Sequence, residues 1–486
     1  MRISKALRSL VLVSAAFLLA SPAYSQTQQL TDEQILHVIN RVSFGPTPGQ
    51  IEQVRQMGLH EYLEQQLRPG NMQVSQDLIN RLSQLEMANA SMQQLAQHFA
   101  DAEEDKKGMS QDEKKELRKS ENVVVEQAAE AKILRAAGSP AQLQEVMTDF
   151  WFNHFNVFAE KGPVKLMVSA YERDAIRPYA LGKFRDLLMA TAHHPAMLVY
   201  LDNWENTDPS SNLAKGKKLG INENYAREIM ELHTLGVNGG YTQQDVTNLA
   251  HILTGWGLGE GKGIEPKTTF YFEPRRHDYA NVTLLNYTVR GGGTEEITGV
   301  LDMLAKNPAT AHHIAFELAQ YFVADDPPKA LVDKMTASYV ASDGDITSVL
   351  RTLFNSQEFY DPQYAQKKFK PPFRYVVSTL RAAGVLPPGD TKLLQAAMNQ
   401  MGEPLYRCVT PNGYSNTNDQ WLNSDALLKR VDYSKKFVGF LQSNPLPNIE
   451  SAMGTTLSAN TFKTIQAAPP KMQPVLALSA PEFVYY

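Results

Sequence analysis

One cysteine, Cys408, is all that 486 residues contain. An intramolecular disulfide is therefore excluded, and so is any zinc site built from several thiolates. Stability has to come from packing, and a metal would have to be held by His, Asp, Glu or Asn. Positive charge is not in excess, with 47 Lys and Arg against 52 Asp and Glu. That excludes a general nucleic-acid binder and leaves room only for a local basic groove. No run of apolar residues is long enough to cross a bilayer. The nearest approach, residues 10–20, follows Arg2, Lys5 and Arg8 and precedes Ala23-Tyr24-Ser25, which is the pattern of a cleaved export leader. Residues 1–25 are accordingly expected to be a signal peptide, and residues 26–486 a single large domain, periplasmic or secreted. Absent as well are a His-Glu-x-x-His helix, a Walker glycine loop, a nucleotide fingerprint after a strand and a Gly-x-Ser-x-Gly elbow.

What is present is helical periodicity nearly throughout. The expected fold is mainly α, a multi-helix globular unit with one small β-hairpin formed by residues 268–272 and 282–289. Thr47 with Gln50, and Ser139 with Gln142, have the spacing of capping boxes. His193-His194-Pro195 reads as a helix break, and residues 206–218 as a mobile excursion. Residues 421–428 and 433–441 read as two further helices. Residues 101–121 mix Lys, Asp and Glu with almost no large apolar groups, so they are expected to form a charged helical insertion or arm.

Three stretches concentrate polar groups. In the helix after Ser139, Asp149, Asn153 and Asn156 share one strip at 100° per residue, while His154 lies among aromatic residues. His154 is then either a core histidine satisfied by a hydrogen bond or a ligand or acid/base group. Residues 222–235 read as one helix with Glu223, Asn224, Arg227, Glu228 and Glu231 on one arc and His233 on the other. Glu223, Arg227 and Glu231 stand four apart, as in an exposed ion-pair ladder. The same row, if buried, would shape a pocket. His251, on the following helix, falls on its solvated side. The loop Pro274-Arg275-Arg276-His277-Asp278 offers two guanidiniums either to an anionic ligand or to neighbouring acidic helix faces.

These segments together resemble one family. Arg41 to Pro48, Phe150 to Phe155, Asn222 to Thr242, Leu253-Thr254-Gly255-Trp256, Pro274 to Asp278 and Phe322-Val323 with Asp326-Pro327-Pro328 are similar, in that order, to the bacterial "domain of unknown function 1800" family. Where many members read Trp-His-Asn-His-Phe, this chain has Trp151-Phe152-Asn153-His154-Phe155, so Phe152 replaces one histidine. The resemblance implies export. The sulfatase-like proteins often encoded beside members associate the family with envelope or polymer chemistry.

The expected site is a pocket assembled from the Asn153-His154 helix, the 223–233 helix and the 275–278 loop. Its acid/base or metal-binding candidates are His154, Glu228, Glu231 and His277. Asn153, Asn224, Arg227, Arg275, Arg276 and Trp256 are the candidates for holding substrate. Metal-assisted hydrolysis or oxidation of an anionic envelope substrate is one expectation, with a divalent metal as the cofactor left open. The other is a non-catalytic envelope protein that binds a polymer or partner protein and uses the same cluster structurally. Neither expectation involves nucleic acid or a membrane span after leader removal.

Overall fold

The computed structural model describes residues 30–104, 108–215, 219–259, 269–387, 389–441 and 449–486. The expected leader lies outside the described residues. Among those described, the fold is helical apart from two two-stranded antiparallel sheets, and no helix is long and apolar enough to cross a membrane. One apolar core runs from Ile35 to Val484, with two small satellite clusters beside it.

At its centre is the helix Pro372–Ala383, every residue of which is buried. Pro371 and Pro372 suit the first turn, where no intrahelical N–H bond is needed, and Gly384 ends the helix with φ +67°. Burying Arg374 and Arg381 along such a helix is tolerable only if their donors find acceptors. They do: Arg374 Nη1 donates to the carbonyls of Asn40 (2.8 Å) and Ser43 (2.6 Å), and Arg381 to those of Gly45 and Ala137. The central helix thereby fastens the N-terminal helix Asp32–Val42, which starts with a complete capping box of Thr31 and Gln34. The other end of the chain closes on the same region, since residues 368–370 pair with 484–486 and Arg41 and Arg374 lie over the Tyr486 ring.

Several local expectations are corrected. Phe270–Phe272 pairs with Trp256–Leu258, not with 282–289. Val282–Leu284 and Tyr287–Val289 form a hairpin of their own around Leu285 and Asn286, both at positive φ, as a tight two-residue turn requires. Residues 222–235 are not one α-helix: Asn224–Glu228 is α and Ile229–His233 is a π turn, so the 100° count fails after Glu228. Gly49, not Thr47, caps Gln50–Met57, although the Gln50 side chain still accepts the Thr47 N–H at 3.0 Å. Ala141 occupies the cap position of Gln142–His154. The Gln142 amide instead bridges to the Ala136 and Ser139 carbonyls and the Phe44 N–H. Residues 424–441 are one continuous helix.

The 206–218 stretch begins fully buried, because Asn206 bonds the Ala250 carbonyl and the Asn222 N–H. Its residues 216–218 lie outside the described residues. Of the charged arm, the helices Met92–Glu104 and Gln111–Gly138 form two limbs. Leu95 and Phe99 meet Leu117 and Val124 between them, and Glu121 pairs with Lys165 at 2.9 Å.

The Leu253 to Trp256 and Pro274 to Asp278 motifs are explained by each other. Thr254 accepts the Asp278 N–H through its hydroxyl, and Gly255 accepts the Glu273 N–H through its carbonyl. Gly255 sits at φ +74°, and a Cβ there would come within 2.6 Å of the Glu273 carbonyl oxygen. Gly255→Ala is therefore expected to destabilise the protein by more than about 1 kcal/mol. A lowered urea midpoint with unchanged slope would show it, and an unchanged midpoint would refute it.

Candidate functional site

The helix Gln142–His154 delivers Asp149 and Asn153 to one cavity, and Asn156, just beyond it, reaches the same place. The polar strip read from the sequence thus lines a common space of about 50 Å³, room for a few water molecules. Lys132, from the long helix Gln111–Gly138, enters from one side; Arg374 and Tyr321 form another. The residues from Glu403 to Asn416 cover it as a strap.

Charge in this region is dense and largely out of water. Lys132 Nζ lies 2.9 Å from Asp149 and 3.1 Å from Glu172. The ammonium is also 5.1 Å from the Phe152 ring centre, with Phe373 and Tyr406 behind it. Burial alone would raise the Glu172 carboxyl, but Lys132, Arg177 and Arg135 outweigh it and hold the group down at about 2. Glu403 has the opposite fate. Desolvation first, and the neighbouring Asp149 second, push it up to about 8, while its one backbone donor, Phe373 N–H at 2.7 Å, only partly compensates. One carboxyl that keeps its proton at neutral pH thus sits beside another carboxyl, and such a pair can divide acid and base roles.

The strap is fastened by amides. Asn153 accepts the Tyr414 N–H and donates to the Tyr414 carbonyl, both at 2.7 Å. Asn156 donates to the carbonyls of Cys408 (3.1 Å) and Thr410 (2.9 Å). Gly413 has φ +66°, and a Cβ there would lie 2.4 Å from the Asn153 carbonyl oxygen, so the Pro411-Asn412-Gly413 turn needs its glycine.

The expected single pocket separates into several neighbourhoods. His154, buried, points away from the cavity: its Nδ1 is 2.7 Å from Glu317, and its ring meets those of His233 and His313. His277 is buried elsewhere, 3.3 Å from Glu296 and bonded through Nδ1 to the Thr254 carbonyl. Glu228 is half-buried and raised, by desolvation and then by Glu231. Glu231 approaches the Tyr241 hydroxyl at 3.4 Å. No hydrogen bond, ion pair or ring contact joins His154, Glu228 and His277 among the described residues.

The substrate-holding candidates divide likewise. Only Asn153 reaches the cavity. Arg227 pairs with Glu223 at 3.1 Å on the surface, as an ion-pair ladder would, and the exposed Asn224 bonds the Leu201 carbonyl. Arg275 pairs with Glu273, and Arg276 ties its loop to Thr207 and the Asn206 carbonyl. Trp256 is fully buried, with its indole N–H donated to Ala192. His251, read as solvated, lies half-buried against Asp278 at 2.7 Å. Among the described residues, no group of three or more His, Cys, Asp or Glu is arranged to hold a metal ion.

Sequence reasoning missed Lys132, Arg374 and Glu403. Lys132 carried no distinct signal, since Glu130 and Arg135 stand beside it between Ala128 and Ala137. Nothing local marks Glu403.

No curated protein and no solved structure matches the chain. One protein-family model does, over residues 37–485, which include every group that lines the cavity. The chain belongs to the family described as "Protein of unknown function (DUF1800)".

Proposed function

We propose that the protein is an exported enzyme that carries out acid–base hydrolysis in the Asp149–Glu403 cavity, with Glu403 as proton donor and Asp149 as the companion carboxylate. The observation that carries this reading is the protonated Glu403 beside Asp149, in a space lined by hydrogen-bonding groups. A proton donor needs an affinity near the working pH, and about 8 places Glu403 there. Lys132 is the positioning residue that holds Asp149 in place. The leader pattern supports a periplasmic or secreted location, where an envelope or extracellular polymer is the natural substrate class.

The test is turnover of chromogenic ester, glycoside, phosphate and sulfate substrates by the purified mature chain. Turnover is expected in one class, with activity falling on the alkaline side near pH 8. Glu403→Gln and Asp149→Asn are each expected to lower kcat about 10²–10⁴-fold while remaining folded. Absence of turnover in every class, or full activity in folded Glu403→Gln, would overturn the proposal in favour of a non-catalytic envelope protein.

A further inference from the structure

We infer that residues 407–414 are a lid that swings off the cavity to admit the substrate, with the side-chain amides of Asn153 and Asn156 as its latch. The inference rests on the cavity being the working site, and it says how that site is reached.

Size is the first argument. About 50 Å³ is far below the roughly 300–1,000 Å³ of sites that enclose an organic ligand, so the closed form can hold solvent but no substrate unit. Something has to move.

The manner of attachment identifies what moves. Between Arg407 and Tyr414, backbone-to-backbone bonds reach only Pro404 and Thr410, both within the strap itself. Every bond from the rest of the protein to the backbone of this segment comes from a side chain: Asn153, Asn156 and the Tyr200 hydroxyl on the Val409 carbonyl at 2.8 Å. Releasing these few bonds, together with the Arg407–Glu160 ion pair at 2.9 Å, frees the segment without breaking a helix or a strand. Of the segment's apolar side chains Val409 is already 65% exposed, so Cys408 and the Tyr414 ring are what opening has to uncover.

The ends are suited to bending. Tyr406 keeps a positive φ of 62° and is pinned beneath by Glu172, which accepts its hydroxyl at 2.9 Å. Tyr406 is thus a fixed post from which the lid departs, and Gly413 supplies the pivot on the far side. In the closed form burial already raises Glu403, so reclosing over a substrate restores the environment in which it keeps its proton.

Cys408 is the natural reporter: it is the chain's one thiol, it lies in the lid, and its side chain lines the cavity. The experiment measures the rate of methyl methanethiosulfonate reaction with Cys408 in the intact mature protein, with no substrate present. Wild-type protein is expected to react at least tenfold more slowly than protein unfolded in urea. Asn153→Ala/Asn156→Ala is expected to react at least tenfold faster than wild type, with the helical circular dichroism unchanged. If that double variant does not fold, Asn156→Asp keeps the shape, replaces the donor by an acceptor, and should also accelerate the reaction. Equal rates in wild type and a folded latch variant, or wild-type reaction as fast as in urea, would overturn the lid. Since thiol reactivity is read without turnover, failure of the hydrolase reading leaves this measurement intact.

Discussion

Replacing Lys132 with methionine is expected to lower stability by about 3 kcal/mol, because it leaves a buried carboxylate short of a partner. The side chain is almost fully buried, with Asp149 on one side and Glu172 on the other. Asp149 has contact with water and can rehydrate. Glu172 is 3% exposed and would be left with Arg177 and the Tyr406 hydroxyl, each at 2.9 Å, but without the ammonium. Three aromatic rings that now surround an ammonium would instead meet a thioether, so packing is largely kept and the loss is electrostatic. Urea unfolding at pH 7 measures the difference, and a loss under 1 kcal/mol would mean that water reaches these charges. The pH dependence has a definite sign. Glu172 is held at about 2, below its usual value near 4.5, so its contribution is complete above the latter and disappears as pH falls through the former. Without Lys132 the group takes up its proton at higher pH, and the gap between variant and wild type should narrow below about pH 4.

Mild acid is the second large perturbation, and histidines cause it. Desolvation first, with Arg41 adding to it, lowers His37 to about 4; desolvation lowers His194 to about 3. His233 is driven well down by burial and then by His154 and His313. Each is neutral when folded and takes a proton when unfolded once pH is below about 6.5, so stability falls as pH drops through that value. At pH 5 each such histidine costs on the order of 2 kcal/mol relative to pH 8. Glu403 acts in the opposite direction, since its raised pKa stabilises the fold as pH falls from 8 toward 4.5, and it offsets more than one but fewer than two of the three histidines. The expected outcome is a clear net loss of stability between pH 7 and 5, reduced in His194→Asn. A stability profile flat over that interval would show that the buried imidazoles are hydrated.

How much of this could be read from the chain depends on the range of the interactions. Helices with local signals were legible: Asp32–Val42 has its capping box, and His193-His194-Pro195 does break a helix. The strip of Asp149, Asn153 and Asn156 was legible because one helix orders the first two and Asn156 follows just beyond its end. The hairpin was mispaired because strand partners are chosen by tertiary contacts, which set Phe270–Phe272 against Trp256–Leu258. The π turn at Ile229 is invisible to a 100° count. The cavity needs Lys132, Arg374 and Glu403, which lie 271 residues apart from first to last (403 − 132). Their meeting is set by the packing of whole helices rather than by spacing. For His154 periodicity gave the aromatic face, while its partners Glu317 and His313 come from a helix far along the chain.

The closure of residues 484–486 onto 368–370 and the two guanidiniums beneath Tyr486 also bear on biosynthesis. Arg41 is made early and Tyr486 late, so for most of translation the N-terminal helix lacks the ring that covers its buried cation. Native packing around residues 32–45 cannot be completed until residues 484–486 are in place. The packing of residues 32–45 is thus a late, long-range step of folding, coupled to the placement of residues 484–486.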